Sequence, residues 1–148
     1  MAPLLADDQL SGSLLVAVGD SALVERCWGF ANREHGTRVT PDTPILVASV
    51  TKPMTIVLVS RLAEQRLLLP DQTLAEWIPD VPGGADITVS HLLNHRAAIP
   101  HRVTMPEEEV VPRTAADLVE RVKRAERLPH APGEVSVYSP AGFSVLAR

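Results

Sequence analysis

Apolar residues alternate with or adjoin one another from Ser13 to Val18, and the same texture returns from Ala22 to Phe30 beyond Gly19-Asp20-Ser21. A turn-forming tripeptide between two such runs predicts a β-hairpin. The stretch from Asn32 to Pro44 is polar and carries Gly and Pro, which predicts a loop. Ile45 to Val47 then leads into Ala48-Ser49-Val50-Thr51-Lys52-Pro53, after which Met54, Val57, Leu58, Arg61, Leu62 and Gln65 recur at helical spacing. Proline suits a first helical turn, where its missing N–H would have had no partner. The pattern predicts a buried central helix ending near Arg66 to Leu69.

Beyond it, Pro70, Pro79, Pro82, Gly83 and Gly84 punctuate the chain, with a short helical turn expected over Leu74 to Ile78. Thr88 is placed to cap a helix of about two turns through His95. Met105 to Pro112, with Glu107, Glu108 and Glu109, reads as a solvated loop. Thr114 and Asp117 stand at capping-box spacing, and Leu118, Val122 and Ala125 give Thr114 to Leu128 an amphipathic face. Val135, Val137 and Tyr138 make an extended approach to a last helix, expected to start near Ala141.

Composition narrows the function classes. Among 148 residues, 45% hydrophobic and 22% charged, there is enough apolar material for one globular domain. A net charge of −4 removes the electrostatic case for nucleic acid. Met1 to Leu5 is apolar, but no basic residue precedes it and Asp7 and Asp8 interrupt it. Neither a signal peptide nor a membrane span is therefore expected, and the expected location is the cytoplasm. Cys27 is the only cysteine, so an intramolecular disulfide is impossible, and it is expected as a small buried hydrophobe in a strand.

The candidate chemistry begins with Ser49-x-x-Lys52. Three-residue spacing puts both side chains on one face at the start of a helix. A serine hydroxyl is a weak nucleophile until a neighbouring base takes its proton, and a lysine amine is such a base only in its neutral form. Burial and the positive end of a helix dipole both favour that form, and N–H groups at the helix start are expected to face the oxyanion of an acyl-transfer intermediate. The alternative is an N-cap serine beside a surface lysine. His91 and His95 stand four apart, as metal ligands on one helical face do, but no Glu adjoins His91 as in the zincin pattern. Packing or exposed histidines are the preferred account, and no metal or cofactor is expected.

Several segments, taken in order, resemble a known family. Thr43 to Pro53 closely resembles the nucleophile segment of the class C β-lactamase, esterase and D-alanyl carboxypeptidase family of penicillin-binding-protein-like serine hydrolases. Gly29 to Asn32, Leu67 to Leu74 and Trp77-Ile78-Pro79 resemble its hairpin end and post-helix segment. Ile87 to His95 followed by Ile99-Pro100 is similar to its Leu-Leu-x-His motif, and Pro132-Gly133-Glu134 through Tyr138-Ser139 to the approach to its Tyr-x-Asn motif. The resemblance implies an α/β fold of β-lactamase/transpeptidase type, truncated to an N-terminal hairpin and a helical region within residues 1–148. It implies an acyl-enzyme on Ser49, with Lys52 and Tyr138 sharing the proton work on a small-molecule ester or amide. A phenol beside a lysine ammonium ionises more easily than its reference pKa of about 10.

The chain departs from that pattern in three places. Pro140 stands where the family has Asn, which weakens the β-lactamase subclass more than the esterase one. Ala98 stands where Gly is common, at the cost of strain if the turn needs a positive φ. No Lys/His-Thr/Ser-Gly triplet occurs, since His35-Gly36-Thr37 has the wrong order. Loss of one oxyanion donor costs about 10²–10³ in rate. Two functions stay open: an esterase-like serine hydrolase, and an inactive truncated remnant or binding module of the same fold. The oligomeric state is left undetermined.

Overall fold

A computed structural model describes residues 9–101, 114–124 and 128–148. The predicted loop with Glu107 to Glu109 lies outside them. The chain divides into two units, Met1–Leu46 and Val47–Arg148.

In the first unit, β1 (Gly12–Val18) pairs antiparallel with β2 (Ser21–Trp28) as predicted, from Gly12 opposite Trp28 to Val18 opposite Ser21. Gly19 turns the hairpin with φ of 56°, a conformation that costs other residues strain. Gly29 ends β2, so the second predicted arm divides, and β3 (Phe30–Asn32) pairs instead with β4 (Thr37–Arg38). The Arg38 guanidinium lies 4.2 Å from the centre of the Phe30 ring. Leu14, Leu15 and Val16, successive positions whose side chains alternate between faces, are all exposed. Cys27 is half-buried, not the buried hydrophobe expected, because it stands near the end of a sheet of only two strands.

The second unit opens with a 3₁₀ turn over Ala48–Val50 that runs directly into α1 (Thr51–Glu64). The helix ends at Glu64, two residues before the expected range, and its closure reaches Leu67. Leu67 N–H reaches the Leu62 carbonyl at 3.0 Å and Arg66 N–H that of Ala63 at 3.0 Å, with Arg66 at φ of 57°. This is a Schellman closure with arginine where glycine is usual. The predicted burial of this helix is not observed. Val59 is its one buried residue, and Met54, Val57 and Leu58 are exposed, since few residues of its unit pack against the apolar positions.

The core lies farther along. A 3₁₀ turn over Leu74–Glu76, capped by Thr73 and Glu76, precedes α2 (Val89–Leu93), capped by Thr88. His91 plays the part that Glu or Gln takes in most capping boxes: its N–H donates to Thr88 Oγ1 at 3.1 Å and its Nδ1 accepts from Thr88 N–H at 3.3 Å. Thr114 and Asp117 make the predicted box at the start of α3 (Ala115–Lys123). Pro140 occupies the first turn of α4 (Pro140–Leu146), where its locked φ suits a helix start. Leu74, Ile87, Leu92, Val119, Val122 and Val145 close over one another between these helices. Ile87 is wholly buried, a contribution of about 1.5–3 kcal/mol. No helix among the described residues is long and apolar enough to cross a membrane.

Candidate active site

Ser49 sits in the 3₁₀ turn, one helical turn before Lys52, and that local geometry brings their side chains together: Lys52 Nζ donates to Ser49 Oγ at 3.2 Å. Neither Val47 nor Val50, the capping positions here, makes a side-chain cap, and the Ser49 hydroxyl points to Lys52 instead of to backbone. The helix start is less open than expected, however. Val50 N–H bonds to the Val47 carbonyl at 3.0 Å and Thr51 N–H to that of Ala48, so these two amides do not face outward to an oxyanion.

Tyr138 arrives from far along the chain, and its hydroxyl lies 2.5 Å from Ser49 Oγ. Lys52 Nζ also lies 5.0 Å from the centre of the Tyr138 ring and 5.4 Å from that of Phe143. Hydrogen bonding to Lys52, then to Ser49, holds the phenol below its ordinary pKa, because both partners favour the phenolate.

The segment carrying Tyr138 is extended and is laced to residues 94–100. Gly133 N–H donates to the Arg96 carbonyl at 2.7 Å, and the Arg96 guanidinium donates back to the Gly133 carbonyl. Ser136 Oγ donates to the Asn94 carbonyl at 3.2 Å, Val137 N–H to that of His95 at 2.8 Å, and Ser139 Oγ to that of Pro100 at 3.1 Å. Position 133 favours glycine. Its φ is 81°, and an added Cβ would stand 2.9 Å from His91 Nε2.

His95 is the residue whose place the sequence did not disclose. It does not share a helical face with His91, because α2 ends at Leu93 and His95 turns away with φ of 55°. Its Nδ1 accepts the Ser139 N–H at 3.2 Å, while its ring lies 4.6 Å from that of Tyr138 and 5.1 Å from that of Phe143. Burial first, and the charge of Lys52 second, hold its pKa below the ordinary histidine value. His91 and His95 thus each give Nδ1 to a backbone N–H, and among the described residues no three His, Cys, Asp or Glu gather as a metal site.

A cavity of about 500 Å³ lies among the helices, lined by Leu74, Trp77, Ile78, Leu92, Val119 and Val145 among others. Ser49, Lys52 and Tyr138 do not line it, so it belongs to the helical core and not to this cluster.

Known proteins share the fold. The chain is similar to esterase EstB of Burkholderia gladioli, 34% identical over 102 residues, which is 64% of this chain and 26% of that protein. A penicillin-binding protein from Bacillus halodurans matches in structure with a TM-score of 0.82 at 28% identity, over 98% of this chain and 45% of that one. EstCE1, described as a hydrolase with promiscuous acyltransferase activity, matches with a TM-score of 0.78 at 26% identity, over 98% of this chain and 42% of that one. The fold is therefore of the β-lactamase and penicillin-binding-protein type, and this chain spans less than half the length of these proteins. Its residues 1–148 match the beta-lactamase family throughout, and the chain belongs to that family of serine hydrolases.

Proposed function

We propose that this chain carries the acylating group of an esterase-like serine hydrolase, with Ser49 as nucleophile, Tyr138 as its proton acceptor and Lys52 as the cation that holds Tyr138 in its phenolate form. One observation carries the reading: Ser49 Oγ is reached both by Lys52 Nζ at 3.2 Å and by the Tyr138 hydroxyl at 2.5 Å. Either distance suffices for proton transfer. In the proposed step the Oγ–C bond to an ester or amide carbonyl forms while the Ser49 proton passes to the Tyr138 phenolate. Lys52, cationic beside that phenolate, stabilises it before attack. Collapse of the tetrahedral adduct breaks the bond to the leaving alcohol or amine, which takes the proton from Tyr138. Water, deprotonated by the same phenolate, then attacks the acyl carbonyl; the Ser49 Oγ–C bond breaks, Oγ takes the proton back from Tyr138, and the acid leaves. The names of EstB and EstCE1 support an ester or acyl-transfer substrate.

A second reading, a non-catalytic module of the same fold, is favoured by one feature: the Val50 and Thr51 amides at the helix start are bonded to the Val47 and Ala48 carbonyls and do not face an oxyanion. A fluorophosphonate probe separates the two, because it reports activation of the serine without requiring turnover. The proposal expects a single label at Ser49, absent in Ser49→Ala, steeply reduced in Lys52→Ala and intermediate in Tyr138→Phe. Equal labelling of the parent chain and Lys52→Ala would remove the proposed mechanism.

A further inference from the structure

We propose that His95 is the positioning residue that holds Tyr138 against Ser49. The inference rests on the reading of Ser49, Lys52 and Tyr138 as the acylating group. His95 engages three consecutive residues. Its carbonyl accepts from Val137 N–H at 2.8 Å, its ring lies 4.6 Å from that of Tyr138, and its Nδ1 accepts from Ser139 N–H at 3.2 Å. The phenol is thus gripped on both sides along the backbone and flanked at the ring. The left-handed φ of 55° bends the chain so that carbonyl and imidazole both reach that stretch. Such a backbone is costly for a residue with a side chain, although His, Asn and Asp adopt it more often than most. It persists where surrounding contacts over-determine it. Phe143, on α4, meets the His95 ring at 5.1 Å and completes the clamp.

The clamp requires a neutral imidazole. Nδ1 can accept a backbone N–H only while it carries no proton, so protonation sets N–H against N–H and frees Ser139. Among the described residues, the groups facing His95 are Lys52 from α1 and Tyr138 itself. His101 lies beyond, its ring 5.8 Å from that of Tyr138. A second cation beside Lys52 opposes protonation, so the clamp releases only at acid pH.

Tyr138 is the only tyrosine in the chain, so ultraviolet titration of phenolate absorbance reports this residue alone. His95→Phe keeps a ring but offers no acceptor. His95→Asn offers an acceptor and tolerates the left-handed backbone but has no ring. The expected result is a phenol midpoint that rises toward the free value of about 10 in His95→Phe and His95→Ala, and stays near the parent's in His95→Asn. Fluorophosphonate labelling of Ser49 should slow by about tenfold or more in the Phe and Ala variants, the scale of a displaced catalytic group. Identical phenol midpoints in the parent, Phe and Ala chains, with unchanged circular dichroism, would overturn the proposal. If those two variants do not fold, the pH profile of labelling decides between the parent and His95→Asn. An additional loss toward acid in the parent alone supports the clamp, and parallel profiles overturn it. A phenol that responds to His95 in a chain whose Ser49 never labels defeats the catalytic reading and leaves the clamp standing.

Discussion

The Tyr138 hydroxyl lies 2.5 Å from Ser49 Oγ although 89 positions separate them in the chain. Contacts of that span are costly in loop-closure entropy, so the pair is only as durable as what holds each end. Ser49 is held by the local geometry of the 3₁₀ turn and α1, and Tyr138 by the lacing of residues 133–139 to residues 94–100.

The first prediction concerns pH. Hydrogen bonding to Lys52, then to Ser49, lowers the Tyr138 pKa, so the phenol ionises in the folded chain before it would in the unfolded one. Between the lowered folded value and the unfolded value of about 10, the unfolded chain binds more protons. Stability from this group therefore rises with pH across that window, is full above it, and is lost as pH falls through the folded value. Lys52→Ala should move the phenol midpoint up by more than Ser49→Ala, as read by absorbance. A midpoint unmoved by Lys52→Ala would mean that the amine does not act on the phenol.

Glycine 133 supplies the next. With φ of 81° and His91 Nε2 2.9 Å from where a Cβ would stand, Gly133→Ala meets both backbone strain and a clash. The loss should be about 2 kcal/mol in denaturant unfolding, since a left-handed backbone alone costs alanine about 1–2 kcal/mol. The phenol midpoint should rise as well, because this turn begins the segment that presents Tyr138. A stable Gly133→Ala chain with an unaltered midpoint would show the lacing to be dispensable.

Two substitutions to glycine should behave differently although both positions are left-handed. Arg66 (φ 57°) is exposed and closes α1, whereas Ala98 (φ 56°) is buried. Relief of strain is worth about 1–2 kcal/mol at each, and the added freedom of unfolded glycine subtracts about 0.4–1 kcal/mol. Arg66→Gly should therefore stabilise by about 0.5–1 kcal/mol. Ala98→Gly also loses a buried methyl, about 0.8 kcal/mol, and should come out near zero. Equal stabilisation at both sites, measured by urea unfolding, would show that the burial of Ala98 is not worth that amount.

Short-range features of this structure were legible in the sequence because they are made by residues three or four apart. The Thr88 and Thr114 caps, the Gly19 hairpin turn and the Ser49–Lys52 pair all belong to that class. Tyr138 is legible only through family resemblance, since nothing in local spacing points from position 138 to position 49. The sequence shows His95 only as a packing or exposed histidine, because its bond to Ser139 spans 44 positions and its positive φ takes it off the helix it follows. The burial expected of α1 failed for a related reason. Apolar periodicity reports a face fit for burial, and whether anything covers that face is not a local property.

That uncovered face carries a prediction of its own. Met54, Val57 and Leu58 are 58%, 60% and 66% exposed on α1, the kind of apolar surface that drives association. The purified 148-residue chain should self-associate with rising concentration, seen by size-exclusion chromatography with light scattering. Leu58→Glu should reduce it without loss of helix content. A chain that stays monomeric at high micromolar concentration would argue that these residues do not seek a partner.

The last prediction turns on Pro140, which fills the first turn of α4 and has no side-chain amide. Ser139 offers no substitute, because its hydroxyl is buried and donates to the Pro100 carbonyl at 3.1 Å. If Ser49 acylates as proposed, a short p-nitrophenyl ester, which asks little beyond attack on its carbonyl, should react faster than a chromogenic cephalosporin. Pro140 offers a cephalosporin's acylamino carbonyl no side-chain amide of the kind the family's asparagine has. A net hydrogen bond is worth about 0.5–1.5 kcal/mol, or roughly two- to tenfold in rate. Pro140→Asn should narrow the ester-to-cephalosporin ratio by that factor, with the acyl adduct at Ser49 followed by mass spectrometry in a single turnover. Proline at this position is favourable but not required, so the helix should survive the change. A cephalosporin adduct that forms as fast as the ester adduct in the parent chain, or a ratio indifferent to Pro140→Asn, would show that the missing amide does not set the substrate preference.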